Sequence, residues 1–160
     1  MKRPSWDQYF MGLAHYASLR SHDVETKVGC VIVNTNNHVV SMGYNGFPAG
    51  CNDDEIPTTR PLKYPYMVHA EENAVSNIIS RKDDGFRAYI THFPCHGCAK
   101  LLWQNNIKKW YINRAGRAHS STDDDDTVYN FLLKNGLKVD TMDMDGDLFK
   151  YIQKIQSGIK

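Results

Sequence analysis

A chain of 160 residues, 41% hydrophobic and 23% charged, has the size and composition of one globular domain, 1–160, with enough apolar material for a core. Its formal net charge of +1 offers no broad attraction to a nucleic-acid backbone, and no run approaches the ~18 apolar residues of a membrane helix, so neither nucleic acid nor a membrane is an expected partner. The basic start Met1-Lys2-Arg3-Pro4 is not followed by an apolar stretch, which argues against a secretory signal and for a cytoplasmic location.

In chain order, Ser5 and Gln8 stand in capping-box register, and Tyr9, Phe10, Leu13, Ala14 and Ala17 follow helical spacing, predicting a helix to about Leu19. Residues 28–33 and 38–42 read as strands joined by an Asn-rich turn over 34–37. A long segment, 43–68, carries Pro48, Pro57, Pro61 and Pro65, and a loop of that length inside a domain is often functional. Residues 69–80 read as a helix and 87–91 as a strand. Pro94 opens a helix to about Asn105, and 108–113 is a strand. The acidic run 123–126 suits a solvated helix start better than a metal site, and that helix runs to Lys134. A strand over 137–142 and a helix over 147–155 complete the pattern. Strands alternating with helices after an opening hairpin predict an α/β fold, a three-layer α-β-α domain with a mixed five-stranded sheet.

The four cysteines are Cys30, Cys51, Cys95 and Cys98. Without a secretory signal a disulfide framework is a poor reading. Cys30 lies in an apolar run and reads as a small core residue. Cys95 and Cys98 form a C-x-x-C pair, which points to metal or redox chemistry. Upstream stands His69-Ala70-Glu71, and together they make the H-x-E…P-C-x-x-C pattern of zinc-dependent nucleobase deaminases. His69, Cys95 and Cys98 supply three zinc ligands and leave a fourth tetrahedral position for water, whose pKa bound zinc lowers to roughly 7. Both cysteines fall at a helix start, where partial positive charge favours thiolates. Glu71, two residues from His69, reads as a proton shuttle between water, the pyrimidine N3 and the departing amine. A structural zinc site would need a fourth protein ligand, and a redox pair usually lies on a strand–helix unit near the N-terminus, whereas this one follows residue 94. His96, between the cysteines, reads as solvent-facing.

The chain resembles the deoxycytidylate (dCMP) deaminase family of the cytidine deaminase superfamily from about Trp6 to Val139. The resemblance rests on Ser5-Trp6-Asp7-Gln8-Tyr9-Phe10-Met11, Gly43-Tyr44-Asn45-Gly46-Phe47-Pro48-Ala49-Gly50-Cys51-Asn52-Asp53, His69-Ala70-Glu71-Glu72-Asn73-Ala74 and Phe93-Pro94-Cys95-His96-Gly97-Cys98-Ala99-Lys100. It implies hydrolysis of dCMP to dUMP for thymidylate synthesis, a homohexamer, activation by dCTP and inhibition by dTTP, bound with Mg²⁺ apart from the Zn²⁺. It places Lys27, Gly43, Asn45 and Gly46 at the regulatory nucleotide, although the glycines read by themselves shape turns. It places Ala70 and Asn73 near substrate. Three departures stand out. Glu72 replaces a usual leucine. His92 replaces an apolar residue and is either a substrate contact or a strand-end residue. Small residues in 114–119 leave room beside C5, so 5-methyl-dCMP is an expected substrate; Arg114 and Arg117 either meet the substrate phosphate or are solvated. Deamination of a nucleoside or of single-stranded nucleic acid, and a zinc-stabilised binding module, are the competing readings. The near-zero charge argues against nucleic acid, and Glu71 argues against a purely structural site.

Overall fold

The computed structural model describes residues 3–80, 85–114, 122–144 and 150. Helix α1, Trp6–Ser18, begins as expected: Ser5 Oγ accepts the Gln8 amide at 3.2 Å and Gln8 Oε1 accepts the Ser5 amide at 2.9 Å. It ends one residue early, with Leu19 as its C-cap. Strands β1 (Gly29–Val33) and β2 (Val39–Tyr44) follow. Asn34 shapes the turn between them, its Oδ1 accepting the amides of Asn36 (3.0 Å) and His38 (2.9 Å). β2 runs on through Gly43 and Tyr44, which the sequence reading assigns to the long loop. That loop is anchored where Gly46 and Val68 exchange backbone hydrogen bonds at 3.0 and 2.8 Å, and it contains two 3-10 turns, Asp53–Glu55 and Tyr64–Tyr66.

Helix α2 is Ala70–Ser76, shorter than the expected 69–80, and strand β3 is Arg87–Ile90. Helix α3 is His96–Gln104, strand β4 Lys109–Asn113, helix α4 Asp123–Lys134 and strand β5 Lys138–Met142. Pro94 precedes the N-cap residue Cys95 and so lies just outside α3, near the helix start as the sequence reading has it. The expected helix over 147–155 falls, apart from residue 150, outside the described residues.

The sheet order is β2-β1-β3-β4-β5, with β1 antiparallel to both neighbours and β3, β4 and β5 mutually parallel, as the mixed five-stranded expectation requires. β1 is buried on both faces. Val31 and Val33 pack with Phe10, Met11 and Ala14 of α1, while Cys30 and Ile32 join Ala70, Ala74, Leu102, Trp110 and Leu132 beneath α2, α3 and α4. Close approach makes glycine necessary at two positions. A Cβ on Gly29 would stand 1.8 Å from the Ala14 carbonyl oxygen, and one on Gly43 would stand 2.2 Å from the Ala70 oxygen and 2.4 Å from the Ala74 nitrogen. Gly43 therefore lets α2, which begins the site, lie directly on β2.

Candidate active site

Two helix starts meet on one side of the sheet. His69 is the N-cap of α2, and its backbone amide is accepted by Glu72 Oε2 at 2.7 Å. The charge that Glu72 brings in place of a leucine thus caps the helix and fixes the histidine's backbone. Cys95 is the N-cap of α3, and Cys98 stands one turn further in, buried. His69 Nδ1 lies 3.4 Å from Cys98 Sγ and 3.6 Å from Cys95 Sγ, and the three ligand atoms lie within 4.8 Å of one another. A tetrahedral zinc with Zn–N of about 2.0 Å and Zn–S of about 2.3 Å sets its nitrogen and sulfur roughly 3.5 Å apart, so the trio fits the ion. Among the described residues the cluster has three members, which leaves one tetrahedral position open. The hydrogen bond with Cys98 holds the Cys95 thiol down to about 3, with His69 adding to it. As the other half of that bond the Cys98 thiol is pushed up, and hydrogen bonding to Cys95 raises His69 to about 9. A bound metal would replace the protons these groups share.

Glu71, 4% exposed, faces this cluster without belonging to it. Burial raises its carboxyl to about 6, and the Cys95 charge pushes the same way against the pull of its own backbone amide, His69 and Cys98. A carboxyl poised there can both take and return a proton near neutral pH.

A cleft opens over Glu71. Ala70, His92, Phe93, Val28 and Met67 line it beside the helix starts, and Asp23, Thr26, Asn45, Arg60, Lys63 and Tyr64 form the loop wall. His92 is thus a wall residue as well as a strand-end one; its Nδ1 lies 3.0 Å from the Thr91 hydroxyl, whose oxygen accepts the Gly29 amide at 3.0 Å. Burial, with His92 nearby, lowers His15 to about 4.

The loop wall is held by a buried ion pair that the sequence reading passes over. Lys63 Nζ lies 2.7 and 2.8 Å from the two Asp23 carboxylate oxygens and 2.7 Å from Glu25 Oε2. Burial opposes the charge on Asp23, but Lys63 and the Thr26 and Glu25 amides outweigh it and hold the carboxyl below its ordinary range. Burial likewise works against the Lys63 ammonium, and Asp23 and Glu25 reverse it. The sequence signal for this pair is faint: two acids in 23–25 and a lysine in the loop marked as functional by its length.

The expected nucleotide contacts divide. Asn45 lies in the cleft wall, but its Oδ1 accepts the Val28 amide at 2.8 Å and its Nδ2 donates to the Thr26 carbonyl at 2.9 Å and to Asp23 Oδ2 at 3.4 Å, so its side chain ties the loop to the 23–28 segment that leads into β1. Gly43 and Gly46 border a second concave surface with Tyr44, Phe47, Asn73 and Asn77. The Asn73 side chain donates to the Tyr44 carbonyl at 2.7 Å on that side, not into the cleft over Glu71. Lys27 donates to the Ser21 carbonyl. Arg114 pairs with Asp143 at 3.3 Å, and Arg117 lies outside the described residues.

His96 and the acidic run depart from expectation together. Asp125 is buried, its Oδ1 accepting the His96 amide at 2.6 Å and lying 2.9 Å from His96 Nδ1. One of the four aspartates is therefore turned inward to clamp the start of α3, and His96 is its partner rather than a merely solvent-facing side chain.

The model of the cytidine and deoxycytidylate deaminase zinc-binding region matches residues 4–114, and the chain belongs to that family. Within it the chain is similar to deoxycytidylate deaminases: 42% identical to the protein of Mus musculus over 135 residues, 81% of this chain and 74% of that one. It is 44% identical to the protein of Pongo abelii over 110 residues, 65% of this chain; the chain spans 62% of that relative's length. Among solved structures, the dCMP deaminase of cyanophage S-TIM5 in complex with dCMP and dUMP is 27% identical and superposes with a TM-score of 0.66 over 89% of this chain and 100% of that one.

Proposed function

We propose that the chain is a zinc-dependent hydrolase that converts dCMP and water to dUMP and ammonia, with 1–160 acting as one deaminase unit. The observation that carries this reading is a buried Glu71 carboxyl facing a three-ligand His69–Cys95–Cys98 cluster at the foot of an open cleft. The kinship with deoxycytidylate deaminases, and the nucleotides bound by the cyanophage relative, support dCMP as the substrate.

His69, Cys95 and Cys98 would hold the zinc, which would supply the Lewis acidity that makes water nucleophilic at neutral pH. Glu71 takes the proton that the water loses as its oxygen bonds to C4, and delivers it to N3. It then takes the second proton, from the hydroxyl now on C4, and passes it to the amine, so that the C4 carbonyl forms as the C4–N bond breaks and ammonia leaves. Low exposure keeps this carboxyl out of bulk solvent, so the proton it carries stays at the reacting atoms. Ala70, His92 and Phe93 shape the base end of the cleft, with His92 offering a polar edge against the pyrimidine.

The finer reading rests on the family resemblance for assembly and regulation, and on the small residues within 114–119 for the second substrate. The protein is a cytoplasmic homohexamer, dCTP with Mg²⁺ activates it and dTTP inhibits it, and 5-methyl-dCMP is a second substrate. The concave surface bordered by Gly43, Gly46 and Asn73, separate from the cleft over Glu71, is where a regulatory nucleotide is expected. The rate at low dCMP should rise with dCTP and Mg²⁺ and fall with dTTP; a rate indifferent to both removes the regulatory part and leaves the chemistry standing.

The deciding experiment is the initial rate of ammonia release from dCMP, for the protein and for Glu71→Gln, with zinc content measured on both. Turnover by the former and loss of more than ~10²-fold in the variant at equal zinc is the expected result. No turnover on dCMP, with dCTP and Mg²⁺ present, overturns the substrate reading.

A further inference from the structure

Apart from its histidines, the cleft has Lys63 and Arg60 as the basic side chains among its described lining residues, and they differ in how fully they are occupied. The Lys63 ammonium is 2% exposed and has three carboxylate oxygens at 2.7–2.8 Å. An ammonium has three N–H donors, so Lys63 has none left for a ligand. Arg60 has five N–H donors on its guanidinium. Its Nη2 donates to Thr26 Oγ1, and its Nε lies 3.9 Å from Glu25 Oε2, longer than a hydrogen bond. The side chain is 45% exposed.

Arg60 is also held in place. Its backbone amide donates to Glu25 Oε2 at 3.0 Å, the oxygen that Lys63 meets, and Lys63 is fixed in turn by Asp23. The 23–25 segment thus pins residues 60–63 from below and leaves the guanidinium at the rim with most of its fork uncommitted. A planar guanidinium fork matches two oxygens of a phosphate, and a side chain already braced by Thr26 loses less freedom on binding than a loose one.

We propose that Arg60 grips the 5′-phosphate of the substrate and makes the site selective for a nucleoside monophosphate over the free nucleoside. This rests on the deaminase reading of the cleft. It gives Lys63, Asp23 and Glu25 the task of positioning Arg60, and Glu71 and the helix starts the base end.

The test compares kcat/KM for dCMP and deoxycytidine in the protein, R60Q and R60K. The ratio of the two should fall about 10- to 100-fold in R60Q, the size of a charge-assisted contact, with R60K in between because it keeps the charge and loses the fork. An unchanged ratio, or equal losses on both substrates, would mean that Arg60 only braces the loop and overturns the proposal. Binding of dUMP and deoxyuridine by calorimetry decides the same question without turnover: R60Q should bind dUMP at least tenfold more weakly than the unaltered protein, with deoxyuridine far less affected. If the unaltered protein fails to turn over dCMP, the reaction reading falls by itself, and the binding arm still upholds or overturns Arg60.

Discussion

Two carboxylates in the cleft, Glu71 and Asp23, are equally hidden, at 4% and 5% exposure, yet burial leaves them on opposite sides of their ordinary range. Glu71 is raised to about 6, because desolvation outweighs what its neighbours return. Asp23 is lowered, because Lys63 and two backbone amides more than offset its desolvation. Burial alone therefore does not assign a role. A buried acid left short of a cation can exchange a proton near neutral pH, whereas one fully matched by an ammonium is a fixed charge that holds structure. The cleft uses the first on its metal side and the second on its loop side.

The sharpest way to break this contrast is to neutralise each side. Glu71→Gln should lower turnover by ~10²–10⁴-fold, or about 3–5 kcal/mol of barrier, while leaving the fold intact. In metal-free protein its stability effect has a definite sign. A carboxyl raised in the folded state contributes stability below its unfolded value of 4.5, and that contribution is lost as the pH rises through about 6. Glu71→Gln should therefore gain on the unaltered protein by about 2 kcal/mol between pH 4.5 and 7.5, measured by denaturant titration at both pH values. Asp23 has the opposite sign: its contribution is present above pH 3.8 and lost as the pH falls through its lowered folded value.

Lys63→Met comes next. It strands a buried carboxylate, and breaking such a pair costs about 3–5 kcal/mol. The change should appear in the unfolding midpoint, and a double Asp23→Leu/Lys63→Met variant should lose much less than the two single changes added together. Additive losses would mean that the pair is not coupled and that the loop is held by other contacts.

The metal side is largely legible in the sequence and the loop side is not. Cys95 and Cys98 are three residues apart, so a helix starting there puts both sulfurs on one face at its start, and the H-x-E spacing puts His69 and Glu71 together at the start of α2. The sheet follows from strand and helix periods that need only local windows. Asp23 and Lys63 are 40 residues apart in a segment without period, and nothing local marks them as partners. The structural duty of Asn45 is hidden for a similar reason: its side chain serves two backbone groups across 17 and 19 residues, which a Gly-rich motif does not disclose. Asp125 looks like its three acidic neighbours until α4 is docked on α3.

Gly43 tests the join between the two sides. Gly43→Ala drives a Cβ into the backbone of α2, which has no flexible end to yield, and should cost about 1–3 kcal/mol. Because the strain falls on Ala70 and Ala74, next to the ligand His69, zinc should also leave more readily under chelator. Lost stability with unchanged zinc retention would show that α2 shifts as a rigid piece without disturbing its first residue.

The smallest effect should come from Asp125, whose carboxylate accepts the peptide amide that follows Cys95 and also meets the His96 imidazole. Asp125→Ala leaves the His96 amide without its carboxylate, frees the start of α3, and should weaken zinc about tenfold, the lower end for loss of an outer partner of a metal site. Chelator competition followed by spectroscopy reads this directly, without reference to turnover. His96→Ala removes only the imidazole and keeps the amide-to-carboxylate bond at 2.6 Å, so its zinc affinity should stay within about threefold of the original, since the ligand-bearing backbone is still clamped. If His96→Ala proves as damaging as Asp125→Ala, the imidazole carries the clamp. If neither matters, the convergence of α2 and α3 on the sheet is enough to hold the cysteines in place.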